Sequence, residues 1–426
     1  MLSITYIRNN TDIVKKACLD KQLDTGAVDK LLEVDEKRRE IQQKVDKLRQ
    51  QSNDNAKEIK ALIQAGKDPT SDLITAGKNI KEQLKKIEPE LKNAETDFEE
   101  LMMYIPNVPA ADVPIGPDES GNVVAEQHGK IPQFDFKPKP HHQLMENLGM
   151  LEIGRAVRIA GFRSYFLTGD GLLLEQALMN YALKKLIDEG FKPMSAPVLV
   201  QEETMWGTGY FPWGAEDHYK TQDGQYLTGT AEVALTAYHK DEILKEKDLP
   251  IKLVGISPCF RREVGSHGKD TQGIVRVHQF NKVEQVVYTV ANENETREWH
   301  EKMTGYAEEM LKELQLPYQK LLMCTGDMGA GQRKKYDLET WFPAQEKYRE
   351  THSASYFNAF QSRRLNIKYQ AQDGTTKYVY TLNNTMAASP RLLAAIVENY
   401  QQKDGSVKVP KVLQKYVGKK EIKAKG

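Results

Sequence analysis

Two arginines, a carboxylate and an aromatic ring lie close together in the segment 260–285, FRREVGSHGKDTQGIVRVHQFNKVEQ. If Arg261 and Glu263 lie on a strand, they share a face, because side chains alternate between the two faces. A guanidinium can hold a phosphate through two hydrogen bonds, and Phe280 offers a surface on which a base can stack. The pattern indicates nucleotide binding, with GSHGKDTQG as a mobile loop over the ligand. A simple ion pair between Arg261 and Glu263 is the alternative.

Other polar residues with chemical potential stand among apolar neighbours. Thr230 and Glu232 lie in TGTAEVAL and are predicted to share one side of a strand or turn. Glu350 and Ser353, in RETHSASYF, could hold Mg²⁺ bound to phosphates, since this ion prefers a few hard oxygen ligands. A helix or turn cap is the alternative explanation of Glu350 and Ser353. Arg391, at the start of a predicted helix, could be a ligand-binding residue, and a surface ion pair is the alternative.

A long helical arm precedes the part of the chain that carries these residues. Apolar residues recur at heptad spacing within 28–64 and again within 80–101, and GKDPTSD separates the two runs. Two such seams predict an antiparallel coiled coil, whose first helix would be roughly 55 Å long. Pro89 lies inside the second run and predicts a kink or a break there.

The region after the arm mixes helical and strand patterns. Residues 105–140 are rich in Pro and Gly and predict an extended connector. Beyond it, LLLEQALMNYALKKLIDEGF is helical, whereas PIKLVGISPCFRR and VEQVVYTVA are typical of strands. Short strands close to turns favour an antiparallel sheet with flanking helices, an α+β fold. We expect an N-terminal domain at 1–110, with its arm at about 28–101, and a second domain at 111–426. The Lys-rich end, KKEIKAKG, is predicted to be disordered.

Composition excludes several classes of protein. Lys plus Arg and Asp plus Glu number 60 each, so any contact with a polyanion must come from local patches. No apolar run approaches the roughly 18 residues of a membrane helix, and the first residues do not resemble a secretory signal. Cys18, Cys259 and Cys324 lack CxxC spacing and are expected to be buried thiols in a reducing compartment. We therefore expect a cytoplasmic protein without a membrane partner.

The charge of the arm is uneven along its length. Residues 37–92 contain fourteen Lys or Arg and nine Asp or Glu, whereas the base segments 28–36 and 93–100 are net negative. A positive far end suits contact with a polyanion at a distance from the body. Charge alone leaves open the alternative of an ordinary solvated coiled-coil surface.

The order of the motifs is more specific than any one of them. The arm is followed by TGTAE, FRRE, VRVHQFNKVEQ, ETHSASYFNAFQSRRLNIKY and TLNNTMAASPRLLAAIVENYQ. Over nearly its whole length, the chain thereby resembles the class II aminoacyl-tRNA synthetases and, within that class, the seryl-tRNA synthetases. The segment GFKPMSAPVLV, with Pro197, resembles the first motif of the class, which forms the dimer. FRRE resembles the second motif, and the helix that contains Arg391 resembles the third.

The resemblance implies a function and partners. The class II catalytic domain would activate L-serine with ATP to seryl-adenylate and transfer serine to the 3′ end of tRNA(Ser); whether tRNA(Sec) is also charged stays open. The arm would grip the long variable arm of the tRNA, and the chain would form a homodimer. Mg²⁺ would accompany ATP. Some relatives use zinc, but Cys259 and Cys324 have no partner at ligand spacing, so a zinc-free serine site is expected.

The resemblance also assigns roles to residues. The serine-binding residues would be Thr230, Glu232, Arg261, Glu284, Asn383 and Thr385. The ATP-binding residues would be Arg261, Arg262, Glu263, Val277, Phe280, Glu350, Thr351, His352, Ser353 and Arg391. Arg261 would bridge the serine carboxylate and the α-phosphate, and Arg391 would hold the γ-phosphate, so these two are the expected catalytic residues. Glu350 and Ser353 would coordinate Mg²⁺.

The chain departs from the common bacterial form of the family. Asn384, Met386 and Pro390 stand where that form has glycines, and Thr385 stands where it has serine. Thr385 keeps the hydroxyl group but adds a methyl group to the serine pocket.

Two other functions are alternatives to that of a seryl-tRNA synthetase. A ligase that loads an amino acid onto a carrier protein resembles the catalytic body but lacks the long arm. An inactive relative that acts as a coiled-coil RNA-binding or scaffold protein has no need of Arg261, Glu263, Glu350 and Arg391 together. The adjacent His141 and His142 are expected on the surface.

Overall fold

The structure, a computed structural model, describes residues 1–265, 268, 270 and 272–424. Part of the loop expected over the nucleotide, GSHGKDTQG, lies outside the described residues. The chain divides into two units. The smaller comprises Ser3–Leu19 and Leu23–Pro106, and the larger comprises Met1–Leu2, Asp20–Gln22 and Asn107–Gly426.

The elements of the described residues are as follows. The α-helices are α1 (Ile4–Asn9), α2 (Thr11–Asp20), α3 (Gly26–Gln64), α4 (Ser71–Met102), α5 (His141–Asn147), α6 (Ile153–Ala160), α7 (Asp170–Asp188), α8 (Glu202–Thr208), α9 (Glu232–Thr236), α10 (Glu293–Glu313), α11 (Phe360–Arg364), α12 (Ser389–Asn399) and α13 (Gln414–Val417). The strands are β1 (Val123–His128), β2 (Leu151–Glu152), β3 (Phe166–Leu167), β4 (Lys192–Ser195), β5 (Leu199–Val200), β6 (Tyr226–Leu227), β7 (Ile243–Lys245), β8 (Ile251–Phe260), β9 (Gln279–Thr289), β10 (Tyr318–Leu322), β11 (Lys334–Phe342), β12 (Lys347–Asn358), β13 (Lys368–Gln370), β14 (Thr376–Tyr378), β15 (Tyr380–Ala388), β16 (Val407–Lys408) and β17 (Glu421–Ile422).

Helices α3 and α4 form the arm of the smaller unit and pack antiparallel, as the heptads predict. Near the base, the guanidinium of Arg38 lies 4.6 Å from the ring centre of Phe98. Further along, Arg49 Nη2 lies 2.9 Å from Glu88 Oε1. Helix α4 continues through Pro89, so the break considered at that residue does not occur. None of the helices in the described part of the chain is long and apolar enough to cross a membrane.

The larger unit is built on an eight-stranded sheet of order β1-β10-β11-β12-β15-β9-β8-β4. Neighbouring strands are antiparallel except β4 and β8, which are parallel. Buried side chains of α7, α10 and α12, such as Leu178, Met310 and Leu393, join those of the strands in one core. Each such side chain contributes about 1.5–3 kcal/mol by leaving water. The predicted antiparallel α+β fold is confirmed.

Two expectations fail in the larger unit. His141 is only 2% exposed rather than on the surface; it lies 2.9 Å (Nδ1) from Glu398 Oε1, and its Nε2 accepts a hydrogen bond from the Ile274 N–H. Part of the Lys-rich end forms β17, which pairs with β16, because Ile422 is buried in the core. Elsewhere in the chain one expectation is confirmed, since all three cysteines are buried.

Candidate active site

Strands β9, β12 and β15 and the start of α12 supply most of the wall of a cavity of about 360 Å³, a volume that accommodates a small ligand. The cationic residues on its wall are Arg261, Arg276, Lys282, Lys335 and Arg391. The anionic residues are Glu232, Glu263, Glu284 and Glu350. Charges of both signs therefore line one cavity, which suits a ligand that carries both.

Arg391 is held against the cavity wall by its contacts with strand β12 and with the segment that precedes β9. Its Nη1 donates to the backbone oxygen and to Oε2 of Glu350, each at 2.9 Å, and its Nε donates to the Val275 carbonyl at 3.1 Å. Burial would raise the pKa of the Glu350 carboxyl, but the charges of Arg391, Lys335 and Arg261 outweigh this effect and lower it. Glu350 is therefore ionised at neutral pH, and its oxygens can face a cation.

A β-bulge brings Glu350 and Ser353 to the same side of β12. Residues three apart on a regular strand face opposite sides of the sheet. Here the pairing between β11 and β12 shifts by one residue, with Thr351 as the extra residue. The hydroxyl of Thr351 lies 2.7 Å from that of Thr340, and both Glu350 and Ser353 line the cavity.

Arg261 and Glu263 follow strand β8 and do not lie on it, so the strand argument for their shared face was wrong. The strand ends at Phe260, and Glu263 adopts a left-handed conformation with φ 55°. Its Oε2 accepts a hydrogen bond of 2.6 Å from Arg276 Nη1. The guanidinium of Arg261 lies 5.4 Å from the ring centre of Phe280. The turn after β8, and not strand alternation, places both charged groups on the cavity wall.

A buried polar cluster occupies another part of the wall. Lys282 and Glu284 are two residues apart on β9 and therefore share a face. Lys282 Nζ lies 2.5 Å from Glu284 Oε2, which also accepts a hydrogen bond of 3.3 Å from Thr385 Oγ1 on β15. All three residues are at most 5% exposed. The cluster offers a carboxylate and a hydroxyl of fixed orientation.

Glu232 adds a second buried carboxylate at the start of α9. Its Oε2 accepts a hydrogen bond of 2.8 Å from the Tyr210 hydroxyl, and its Oε1 accepts one of 3.0 Å from Gln361 Nε2. Burial raises the pKa of Glu232 to about 7, and the negative charge of Glu284 contributes to the rise. A bound cation would favour the ionised form of Glu232.

The structure brings most of the predicted site residues to this cavity. Those on its wall are Glu232, Arg261, Glu263, Val277, Phe280, Glu284, Glu350, Thr351, His352, Ser353, Asn383, Thr385 and Arg391. Burial lowers the pKa of His352 to about 4, so this imidazole is neutral.

Two predicted residues, Thr230 and Arg262, are not on the cavity wall. Thr230 is 2% exposed, and its hydroxyl accepts a hydrogen bond of 3.2 Å from the backbone N–H of Glu232, so it stabilises the start of α9. Arg262 is exposed, because the chain turns at this point, and its Nη1 donates to the backbone oxygen of Glu216 at 2.9 Å.

Sequence reasoning missed several residues of the wall, among them Tyr210, Arg276, Lys282, Gln332 and Lys335. Lys282 would have been found if the strand predicted at 283–291 had been extended by one residue, because it precedes Glu284 by two residues and so shares its face. Tyr210 and Gln332 lie in irregular segments, whose position depends on the whole fold.

Comparisons with known proteins extend over the whole chain. Residues 1–109 match the family model of the seryl-tRNA synthetase N-terminal domain, and residues 217–400 match that of the tRNA synthetase class II core domain (G, H, P, S and T). A serine–tRNA ligase of Deinococcus radiodurans is 41% identical over 423 residues, which cover 99% of each chain.

Solved structures of seryl-tRNA synthetases are also similar to this chain over its whole length. The crystal structure of seryl-tRNA synthetase from Pyrococcus horikoshii complexed with ATP has a TM-score of 0.93 and 39% identity, with 100% of each chain covered. The cytoplasmic serine–tRNA ligase of Naegleria fowleri in complex with AMP has a TM-score of 0.89 and 32% identity, with 100% of this chain and 99% of that one covered.

Proposed function

The chain belongs to the seryl-tRNA synthetase family and is an ATP-dependent serine–tRNA ligase, and from this premise we propose how its residues perform the reaction. One observation carries the proposal. Arg261 and Arg391 are 130 positions apart in the chain, yet they line one cavity together with the buried carboxylates Glu232 and Glu284. Serine and ATP would meet between these groups.

In the first step, an oxygen of the serine carboxylate attacks the α-phosphorus of ATP and pyrophosphate leaves. Because two anions must approach each other, the site has to neutralise charge and position the reactants. Arg261 would bridge the serine carboxylate and the α-phosphate, and Arg391 would hold the γ-phosphate. No side-chain nucleophile is needed. In the second step, a hydroxyl group of the terminal ribose of the tRNA loses its proton and attacks the carbonyl carbon of the adenylate, and AMP leaves.

The adenine would bind where the turn after β8 meets β9. Phe280 supplies a ring on the cavity wall on which a base can stack, and the adenine amine would donate to Glu263. Arg276 holds the Glu263 carboxylate through a hydrogen bond of 2.6 Å. Arg262 contributes no side chain to the wall, so any contact it makes with ATP would be through its backbone.

Glu350 and Ser353 fit a Mg²⁺ ion that arrives with ATP. They present hard oxygen atoms from the same wall, and nearby cations keep Glu350 ionised. Two protein ligands suit Mg²⁺, which completes its shell with phosphate oxygens and water. The ion would supply positive charge to the phosphates. The described residues that line the cavity include no cysteine, which supports a zinc-free serine site.

Serine-dependent ATP–pyrophosphate exchange tests the proposal, with the other amino acids as controls. We expect exchange with serine and, when tRNA is added, formation of seryl-tRNA. A ligase that serves a carrier protein would activate an amino acid without charging tRNA. An inactive scaffold protein would show no exchange with any amino acid.

The KM for serine should depend on pH through Glu232. Because the pKa of this carboxyl is raised to about 7, it is protonated at lower pH and then offers no negative charge to the serine ammonium group. Well below that pKa, the KM for serine should rise by about tenfold per pH unit. Exchange kinetics at saturating ATP measure this effect. In Glu232→Gln the KM should be high at every pH, and a wild-type KM that is constant across this range would contradict the role.

Threonine should be rejected by the closure of the pocket around Glu284 and Thr385. It carries the serine hydroxyl plus one methyl group, and a methyl group is discriminated by about 10–200-fold in a fitted pocket. We expect Thr385→Ser, which removes the methyl group next to Glu284, to raise threonine-dependent exchange relative to serine by about tenfold. Threonine exchange near the serine rate in the wild type would refute the pocket assignment.

The partners proposed are tRNA(Ser), bound through its long variable arm, and a second copy of the chain. The excess of Lys and Arg in residues 37–92 supports the first. Exposed apolar side chains on α6 and α7, including Ile159 (76%) and Leu172 (46%), support a dimer. We propose that the protein works in the cytoplasm, where its tRNA is found.

A further inference from the structure

We propose that Lys282 is a specificity-determining residue of the serine pocket: its ammonium group pairs with Glu284, which reserves Glu284 for the serine hydroxyl and leaves Glu232 for the serine amino group. This inference rests on the proposed function of the cavity. Lys282 lies on the cavity wall but has no role in the motif-based assignment.

The burial of Lys282 calls for an explanation. Its side chain is 7% exposed, and its partner Glu284 is 2% exposed. Burying two charges costs free energy, and the attraction between them often does no more than offset this cost. A protein that has apolar residues of similar volume in their place is therefore commonly as stable or more stable. Stability alone therefore gives little reason to place an ion pair here. Its position on the wall of the substrate cavity gives a functional reason.

The contacts of Lys282 are directed to one oxygen of Glu284. Lys282 Nζ lies 2.5 Å from Glu284 Oε2, and Thr385 Oγ1 donates to the same oxygen at 3.3 Å. Lys282 Nζ also lies 3.5 Å from Thr385 Oγ1. The contacts that Lys282 and Thr385 make with Glu284 both go to Oε2, which leaves Oε1 to accept the hydroxyl of a bound serine.

The charges of the pocket then determine where each end of serine binds. The charged groups near Glu232 are Lys282 and Glu284 on β9, and the Tyr210 hydroxyl donates to it. With both carboxylates ionised and Lys282 protonated, one negative charge remains unmatched. The ammonium group of serine supplies the missing charge at Glu232, because Glu284 is already paired. Without Lys282, the two carboxylates would compete for the ammonium group.

This division of roles controls selectivity against alanine. A site built to hydrogen-bond a hydroxyl rejects an analogue that lacks it, because a buried polar group is left unpaired. That rejection requires Glu284 to be held in place as an acceptor. If Glu284 were free to bind the ammonium group instead, alanine would leave nothing unpaired.

The test is Lys282→Met in the full chain, with serine- and alanine-dependent ATP–pyrophosphate exchange as the measurement. We expect the KM for serine to rise by about tenfold or more and the serine-to-alanine ratio of kcat/KM to fall by about tenfold or more. The KM for ATP should stay within about twofold, since no ATP contact is removed. The pH below which the KM for serine rises should also increase, because Lys282 no longer opposes protonation of Glu232.

Lys320→Met is the matched control. Lys320 is also 5% exposed and pairs with carboxylates, at 3.2 Å from Glu301 Oε2, but it lies on β10 and is not on the cavity wall. Its replacement should leave the serine-to-alanine ratio and the pH dependence unchanged. If Lys282→Met shows the same unchanged ratio and pH dependence, Lys282 is only structural and the proposal is overturned.

A second variant keeps the test decisive if Lys282→Met does not fold. Lys282→Gln can still donate a hydrogen bond to Glu284 but carries no charge. For this variant too we expect the serine-to-alanine ratio of kcat/KM to fall, and an unchanged ratio and pH dependence would overturn the proposal. Failure of the proposed function is distinguishable, because wild-type protein would then show no serine-dependent exchange. Normal wild-type exchange together with an unchanged ratio in the variant overturns only the role of Lys282.

Discussion

Arg391→Ala should lower serine-dependent ATP–pyrophosphate exchange by about a hundred- to a thousandfold, the loss expected when a preorganised group that stabilises developing charge is removed. Arg391 would hold the γ-phosphate, and its contacts with Glu350 and the Val275 carbonyl fix its orientation before ATP binds. The substitution also leaves Glu350 without its cationic partner. The decrease should appear in kcat/KM for ATP, measured by exchange at saturating serine.

Two variants control this prediction. Arg391→Lys keeps the charge but loses the planar fork, so it should recover only part of the activity. Arg49→Ala removes a guanidinium from the arm, where the side chain of Arg49 is 54% exposed and pairs with Glu88, and should leave exchange unchanged. A loss of less than about tenfold in Arg391→Ala would mean that this arginine does not contact the reacting phosphates.

Replacing residues 37–92 by a short Gly-Ser linker should separate the two steps of the reaction. Serine activation should stay within about threefold of the wild type, because these residues belong to the smaller unit, whereas the cavity residues belong to the larger. Charging of tRNA should fall by about a thousandfold, because the loss of several phosphate contacts weakens binding by that order. Exchange and aminoacylation, measured on the same preparation, give the two values. Equal loss of both would show that the arm is mainly structural.

A charge-reversal pair sharpens this test without shortening the arm. Lys57→Glu with Lys81→Glu changes two exposed positions of the arm, and Lys137→Glu with Lys403→Glu changes two exposed positions of the body. The first pair should raise the KM for tRNA and reduce its dependence on salt, since the slope follows the number of phosphates contacted. The second pair should change neither quantity. Equal effects of the two pairs would indicate non-specific attraction.

The arm was predictable from the sequence because its pattern is local. Heptad spacing along 28–64 and 80–101 needs no distant partner, and α3 and α4 extend this pattern to Gly26–Gln64 and Ser71–Met102. The strands β8 and β9 were likewise visible as apolar runs. The antiparallel class of the sheet followed from short strands close to turns.

Features that depend on distant contacts were not predictable in this way. His141 is buried because it meets Glu398, which is 257 positions away. Strand β8 ends at Phe260, and the surrounding fold determines where it ends. The alternation of side chains along a strand therefore could not place Arg261 and Glu263 on a shared face. The burial of Lys282 beside Glu284 could not be predicted either, because lysine is usually an exposed residue.

Because of the bulge at Thr351, the geometry of the active site depends on the number of residues in β12 as much as on their types. Removal of one residue there would restore regular alternation and turn either Glu350 or Ser353 to the opposite side of the sheet. Insertions and deletions in this hairpin should therefore be tolerated only at its tip, residues 343–346 between β11 and β12. In a laboratory evolution experiment, surviving variants should accumulate substitutions along the strand while conserving the number of residues between Lys347 and Ser353.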